Sequence, residues 1–159
     1  MNTPVNLQNQ GQRLLQAGMA LFLFASLEGF AIPSVASPRI GLSVHTLSAL
    51  QAVMLLAIGL LWPRLKLGPR ASRIAFWCLL YSTLAILAAY AVAAWWGVGI
   101  ETISLMGELP HGLHQGSPFQ ETFIKVLSYS SAPTGLAAFG LIFWGLRLPH
   151  AQPASGSVS

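Results

Sequence analysis

Apolar residues gather in four long runs, about residues 14–32, 42–62, 74–98 and 126–146, separated by short polar or proline-bearing stretches. At 1.5 Å per residue, each run makes a helix long enough to cross about 30 Å of hydrocarbon. The first run is too long for a cleavable leader and lacks a following Ala-x-Ala, so it is expected to persist as a helix. The pattern predicts an all-α, integral membrane four-helix bundle spanning residues 13–148, with no internal repeat or domain boundary. Residues 1–12 and 149–159 are polar or small and are expected to form flexible tails.

Composition agrees with this reading. Only 8% of residues are charged and 54% are hydrophobic, with a mean hydropathy of +0.63, whereas a soluble domain carries about 25% charged residues. The chain has no aspartate and four glutamates, and its single Cys78 excludes an intrachain disulfide. A pI near 9.9 could suggest nucleic acid, but the eight basic residues cluster at the ends of apolar runs, as membrane topology signals do. With the N-terminus inside, Arg13, Arg64, Lys66, Arg70, Arg73 and Arg147 are cytoplasmic, and Arg39 and Lys125 lie outside. That asymmetry predicts an N-in, C-in topology. Trp62, Trp95, Trp96 and Trp144 fall near predicted helix ends, where interfacial anchors belong.

Few side chains here can do chemistry. His45 stands in the opening turns of the second apolar run, where its imidazole must be hydrated, hydrogen-bonded or metal-bound. The topology places Glu28, His45, Tyr90 and the group Ser128, Tyr129, Ser130, Ser131 and Thr134 in the outer half of the bundle, as one polar layer shared by four helices. Each has a plain structural role beside a functional one. Glu28 could bond a neighbouring helix, Tyr90 could be an interfacial aromatic, and the hydroxyls near Pro133 could satisfy carbonyls that the proline leaves unpaired. Gln51, mid-helix, either hydrogen-bonds across helices or contacts substrate. Six residues at 100° leave His45 and Gln51 about 120° apart around their helix. If both serve one site, that site lies between chains, and small residues such as Ala49, Ala52, Ala85, Ala88 and Ala89 would permit the close approach.

The third connecting segment, about residues 99–120, holds Glu101, Glu108, His111 and His114. His111-x-x-His114 could pair on a metal, but two histidines without companions read better as a solvated loop or lid. No phosphate-binding loop, Ser-His-Asp order, CxxC or c-type haem attachment motif is present.

The runs Arg13-Leu-Leu-Gln-Ala-Gly18, Pro38-Arg-Ile-Gly-Leu-Ser-Val-His45 and Gly59-Leu-Leu-Trp-Pro-Arg-Leu-Lys66 resemble those of bacterial hydroxylaminobenzene mutases, over about residues 13–148. More distantly, the layout is similar to styrene oxide isomerase. The resemblance implies a homotrimer in the bacterial inner membrane with haem b between protomers and His45 as the axial iron ligand. It implies Tyr90, Gln51 and Ser82 as substrate-facing positions. Gln51 replaces the family's usual asparagine, Ser82 stands where the isomerase has aspartate, and Ile86 stands where asparagine is common. The implied activity converts hydroxylaminobenzene, a small aromatic hydroxylamine that partitions into the lipid bilayer, to 2-aminophenol, with ferric haem as Lewis acid. The alternatives are epoxide isomerisation of the styrene oxide type, a non-enzymatic b-haem subunit carrying electrons, and a metal-free transporter or scaffold subunit.

Overall fold

The computed structural model describes residues 3–99, 102–103 and 116–147. Among them the chain is all helical: α1 (Thr3–Glu28), α2 (Pro38–Leu61), α3 (Pro69–Trp96) and α4 (Pro118–Gly145), with 3-10 turns at Ile32–Ser34 and Trp62–Arg64. Proline occupies the first position of α2, α3 and α4, where its missing N–H costs no helical bond. Hence α3 and α4 begin five and eight residues before the apolar runs at 74 and 126: hydropathy does not register polar opening turns. α4 also carries a capping box, Ser117 with Gln120, a signal present in the sequence as Ser-Pro-Phe-Gln. α3 stops at Gly97, whose left-handed φ of 69° lets its N–H reach back to the Ala93 carbonyl.

Two expectations about the first run change. The helix starts at Thr3, so residues 3–12, expected in a flexible tail, are helical, and it ends at Glu28, four residues short of Ile32. The C-terminal tail at 149–159 lies outside the described residues. Three helical stretches, Pro38–Arg64, Pro69–Trp96 and Pro118–Gly145, are long and apolar enough to cross a membrane. α1 is not among them, because Gln10, Gln12, Arg13 and Gln16 dilute its apolar half.

The helices form two antiparallel hairpins, α1–α2 and α3–α4, joined chiefly by α2 against α3. α1 and α4 lie at opposite edges, so the arrangement is open rather than a closed bundle. Leu14, Leu21, Val44, Leu55, Leu79, Ile124 and Ala138 are buried between the hairpins' helices. The α1–α2 seam is close because glycine lines it. A Cβ at Gly11 would meet the Gly59 carbonyl oxygen at 2.8 Å, and one at Gly18 would meet Leu56 Cγ at 2.9 Å and the Ala52 oxygen at 3.0 Å. Ala52, Ala85 and Ala89 are likewise buried within the chain, so these small residues serve packing inside the protomer, and only Ala49 and Ala88 keep partial exposure. Trp62 is also not an interfacial anchor. It is 0% exposed, and its indole N–H donates to Gln10 Oε1 at 3.0 Å, whereas Trp95, Trp96 and Trp144 are exposed as expected.

Candidate functional site

His45 meets the end of α1. Residues three and four apart on a helix share a face, and Ala25, Glu28 and Gly29 together make a cradle for the imidazole. Its Nδ1–H donates to the Ala25 carbonyl oxygen at 3.0 Å. That carbonyl also receives the Gly29 N–H at 3.2 Å. It belongs to the last turn of α1, where the helix dipole places partial negative charge, and this favours a proton on the facing ring nitrogen. Gly29 has room for the ring: a Cβ there would lie 3.4 Å from both Cε1 and Nδ1. Glu28 Oε2 sits 3.6 Å from Nδ1, beyond hydrogen-bond range but on the same side, and is sealed from solvent without a partner among the described residues. The side chain of His45 is 40% exposed, against 15% for Glu28.

This arrangement fixes the tautomer. With the proton on Nδ1, Nε2 carries a bare lone pair, and it has no hydrogen-bond partner among the described residues. Histidines that ligate metals commonly donate their other ring N–H to a carbonyl or carboxylate in this way. Among the described residues no three His, Cys, Asp or Glu side chains converge, so a bare ion would find no cage. A porphyrin brings four nitrogens of its own and needs only an axial donor. The donor chemistry at His45 therefore fits a haem, with the exposed α2 face at Leu42, Thr46 and Leu50 as one apolar wall.

Against that same face a groove of about 390 Å³ opens between α2 and α3, lined by Leu42, Ser43, Thr46, Leu50, Ile86 and Tyr90. The volume falls within the ~300–1,000 Å³ typical of small-ligand sites. Ser43 and Thr46 turn their hydroxyls back to the Arg39 and Leu42 carbonyls, so the Tyr90 hydroxyl is the polar group left there without a partner among the described residues. Ile86 adds to the apolar lining of the groove.

The expected single polar layer does not hold: Glu28, His45 and Tyr90 lie near the outer end, but Ser130 and Ser131 of α4 meet Tyr81 and Ser82, eight or nine residues and about 12 Å from Tyr90 along α3. Gln51 likewise lies six residues, about 9 Å, further along α2 than His45. Ser82 donates to the Ser131 carbonyl at 2.8 Å and packs against Gly135, so its hydroxyl is committed to the α3–α4 contact. Tyr81, absent from the sequence reading, pairs with Ser130 at 2.7 Å across the same contact. Gln51 points elsewhere than His45, as helical phase required, and its Oε1 is sealed without a partner among the described residues. The hydroxyls near Pro133 do not repair its effect. Pro133 deprives the Tyr129 carbonyl, whereas Ser130, Ser131 and Thr134 bond the carbonyls of Leu127, Ser128, Ser130 and Ser131. Glu101, Glu108, His111 and His114 lie outside the described residues. At the edge of that segment, Glu121 Oε1 accepts the Gly99 N–H at 2.9 Å and ties the end of α3 to α4.

Residues 10–147 match the family model described as styrene oxide isomerase. The chain is 38% identical to the hydroxylaminobenzene mutase HabB of Ectopseudomonas oleovorans, over 98% of this chain and 96% of that protein. It is 30% identical to HabA of the same organism, also named a hydroxylaminobenzene mutase, over 84% of this chain and 96% of the relative. No solved structure matches it.

Proposed function

The chain belongs to the styrene oxide isomerase family, and on that premise we propose that it is a membrane-embedded isomerase converting hydroxylaminobenzene to 2-aminophenol. The two mutase relatives match 98% and 84% of the chain and favour this substrate over an epoxide. The observation that carries the cofactor assignment is the Nδ1–H bond from His45 to the Ala25 carbonyl, which keeps Nε2 free to hold haem b iron. When bound, ferric haem supplies a Lewis acid for the hydroxylamine oxygen.

The reaction is an isomerisation. The N–O bond breaks, a C–O bond forms at the ortho carbon, the ortho hydrogen leaves as a proton and nitrogen gains one, so no co-reactant is needed. The chain's own residues have three tasks. The Ala25 carbonyl and Glu28 hold the imidazole in one tautomer and orientation. The Leu42, Leu50 and Ile86 walls exclude water that would capture a cationic ring. The Tyr90 hydroxyl hydrogen-bonds the migrating hydroxyl or the amine at the groove's mouth. Ser82, whose hydroxyl is spent on the α3–α4 contact, is left out of the chemistry. Gln51 points away from His45 in one protomer, so its part in the reaction requires a neighbouring chain, and we place the site between the protomers of a homotrimer.

We further place the chain in the bacterial inner membrane with both termini cytoplasmic and α1 as a fourth span, consistent with six basic residues at one end of the hairpins and two at the other. The test is direct. Purified protein should show a Soret band and form 2-aminophenol from hydroxylaminobenzene, and His45→Ala should abolish both. Unchanged haem content and turnover in that variant would sink the assignment.

A further inference from the structure

The two carboxylates among the described residues, Glu28 and Glu121, are distant from most of the chain's cations. Glu28 closes α1 and Glu121 opens α4 at the His45 end, while Glu101 and Glu108 fall in sequence between α3 and α4, outside the described residues. The opposite end carries Arg13, Arg64, Lys66, Arg70, Arg73 and Arg147 with no acidic side chain in sequence beside them. Two of these arginines, Arg13 of α1 and Arg73 of α3, line one polar pocket of about 200 Å³ with Asn6, Asn9 and Gln10. Neither has an ion-pair partner among the described residues. Gln10 uses its Oε1 to accept the Trp62 indole, which directs its role in the pocket to its amide donors. The pocket thus offers donors and positive charge and lacks an acceptor of matching charge.

The pocket also has an apolar continuation. Trp77 forms part of its wall and part of the wall of a second, almost wholly apolar groove of about 390 Å³, lined by Leu80, Leu84 and Leu127. Arg73, Trp77, Leu80 and Leu84 recur at i, i+4, i+7 and i+11, one stripe of α3 facing outward from the α1 contact towards α4. The stripe rises about 16 Å from Arg73 to Leu84, on the order of an acyl chain's reach into a leaflet. A free phosphate would satisfy the arginines but would leave this groove unused.

We propose that Arg13 and Arg73, with the Asn6, Asn9 and Gln10 amides, bind the phosphate headgroup of one acidic phospholipid, whose acyl chain lies in the Trp77–Leu84 groove. Paired arginines recognise phosphate oxygens through charge-assisted hydrogen bonds. Basic pockets between helices at the cytoplasmic surface select anionic lipids on the same basis. The bound lipid would link α1 to α3, two helices that otherwise share little contact, through their common ligand.

Native mass spectrometry of the full-length protein, exchanged into mixed phosphatidylglycerol and phosphatidylcholine, tests this. Wild type should retain phosphatidylglycerol over phosphatidylcholine by roughly tenfold or more. The Arg13→Gln/Arg73→Gln variant should retain the two equally. Arg64→Gln/Arg70→Gln, which removes the same charge at the same end, should behave as wild type, and equal loss there would overturn a built site. Leu84→Trp, which fills the groove and leaves the charges intact, should also lower retention, and it keeps the test available if the arginine variant does not fold. Displacement of phosphatidylglycerol by millimolar inorganic phosphate, with no effect of Leu84→Trp, would overturn the lipid in favour of a soluble anion.

Discussion

A histidine on an apolar helix is informative because of what its two nitrogens do. Here Nδ1 is engaged by the Ala25 carbonyl and Nε2 is not engaged within the protomer, a division of labour suited to an axial ligand. Tyr90 and Ser82 divide in a similar way. Both carry hydroxyls on α3, but the Tyr90 hydroxyl faces a groove and the Ser82 hydroxyl faces a carbonyl. Tyr90→Phe should therefore lower kcat/KM by about tenfold, on the order of 1.4 kcal/mol, with haem content unchanged. Ser82→Ala should leave kcat/KM unchanged and lower stability by about 1 kcal/mol, through loss of one interhelix hydrogen bond. Kinetics and thermal unfolding in detergent separate the two outcomes, and a Tyr90→Phe enzyme as fast as wild type would remove that hydroxyl from the chemistry. His45 stood out in the sequence because an imidazole in lipid needs a partner. Ala25 and Gly29 did not, because a backbone carbonyl and a missing Cβ carry no pattern until two helices are placed side by side.

At the scale of elements, the position of that carbonyl depends on how closely α1 and α2 pack. Gly11 and Gly18 are seven residues apart on α1 and face Gly59 and Ala52, seven apart on α2, so over two turns the backbones approach closely, with Leu15 and Leu56 filling the space beside them. Gly11→Ala adds a methyl 2.8 Å from the Gly59 oxygen, a backbone atom that cannot rotate away. The variant should lose about 1–3 kcal/mol of stability by overpacking, and, because the seam sets the register between Ala25 and His45, it should bind haem less tightly. A Soret titration beside a melting curve measures both, and wild-type values for each would show that the seam is looser than its geometry. The helices themselves were largely legible as apolar runs. Their first turns were not, because α3 and α4 begin with Pro-Arg and Pro-Phe-Gln-Glu, whose signal is capping chemistry rather than hydropathy. Position near a predicted helix end suggests an interfacial ring for Trp62. The 3-10 turn there rotates the indole inward to Gln10, a contact 52 residues away that no local pattern specifies.

For the whole molecule, orientation decides which compartment each polar cluster faces. On the proposed N-in, C-in orientation, the Arg13–Arg73 end would face the cytoplasm and the His45 end the outer leaflet, and substrate would enter the groove from the outer half of the bilayer. The hairpin connections offer probes of this. Ser34, in the α1–α2 turn, is exposed, and Gly68, in the α2–α3 turn, has nothing within 4 Å of where its Cβ would stand, so cysteine fits at both. In a Cys78→Ala background, which removes the chain's own thiol, Ser34→Cys should react with a membrane-impermeant maleimide in spheroplasts. Gly68→Cys should react only after the membrane is opened. The reverse pattern would invert the topology and place the His45 groove in the inner leaflet. Labelling of both sites in closed spheroplasts would mean that these turns do not lie on opposite sides of the membrane. Either result would overturn the charge argument while leaving the His45 geometry, which depends only on α1 against α2, intact.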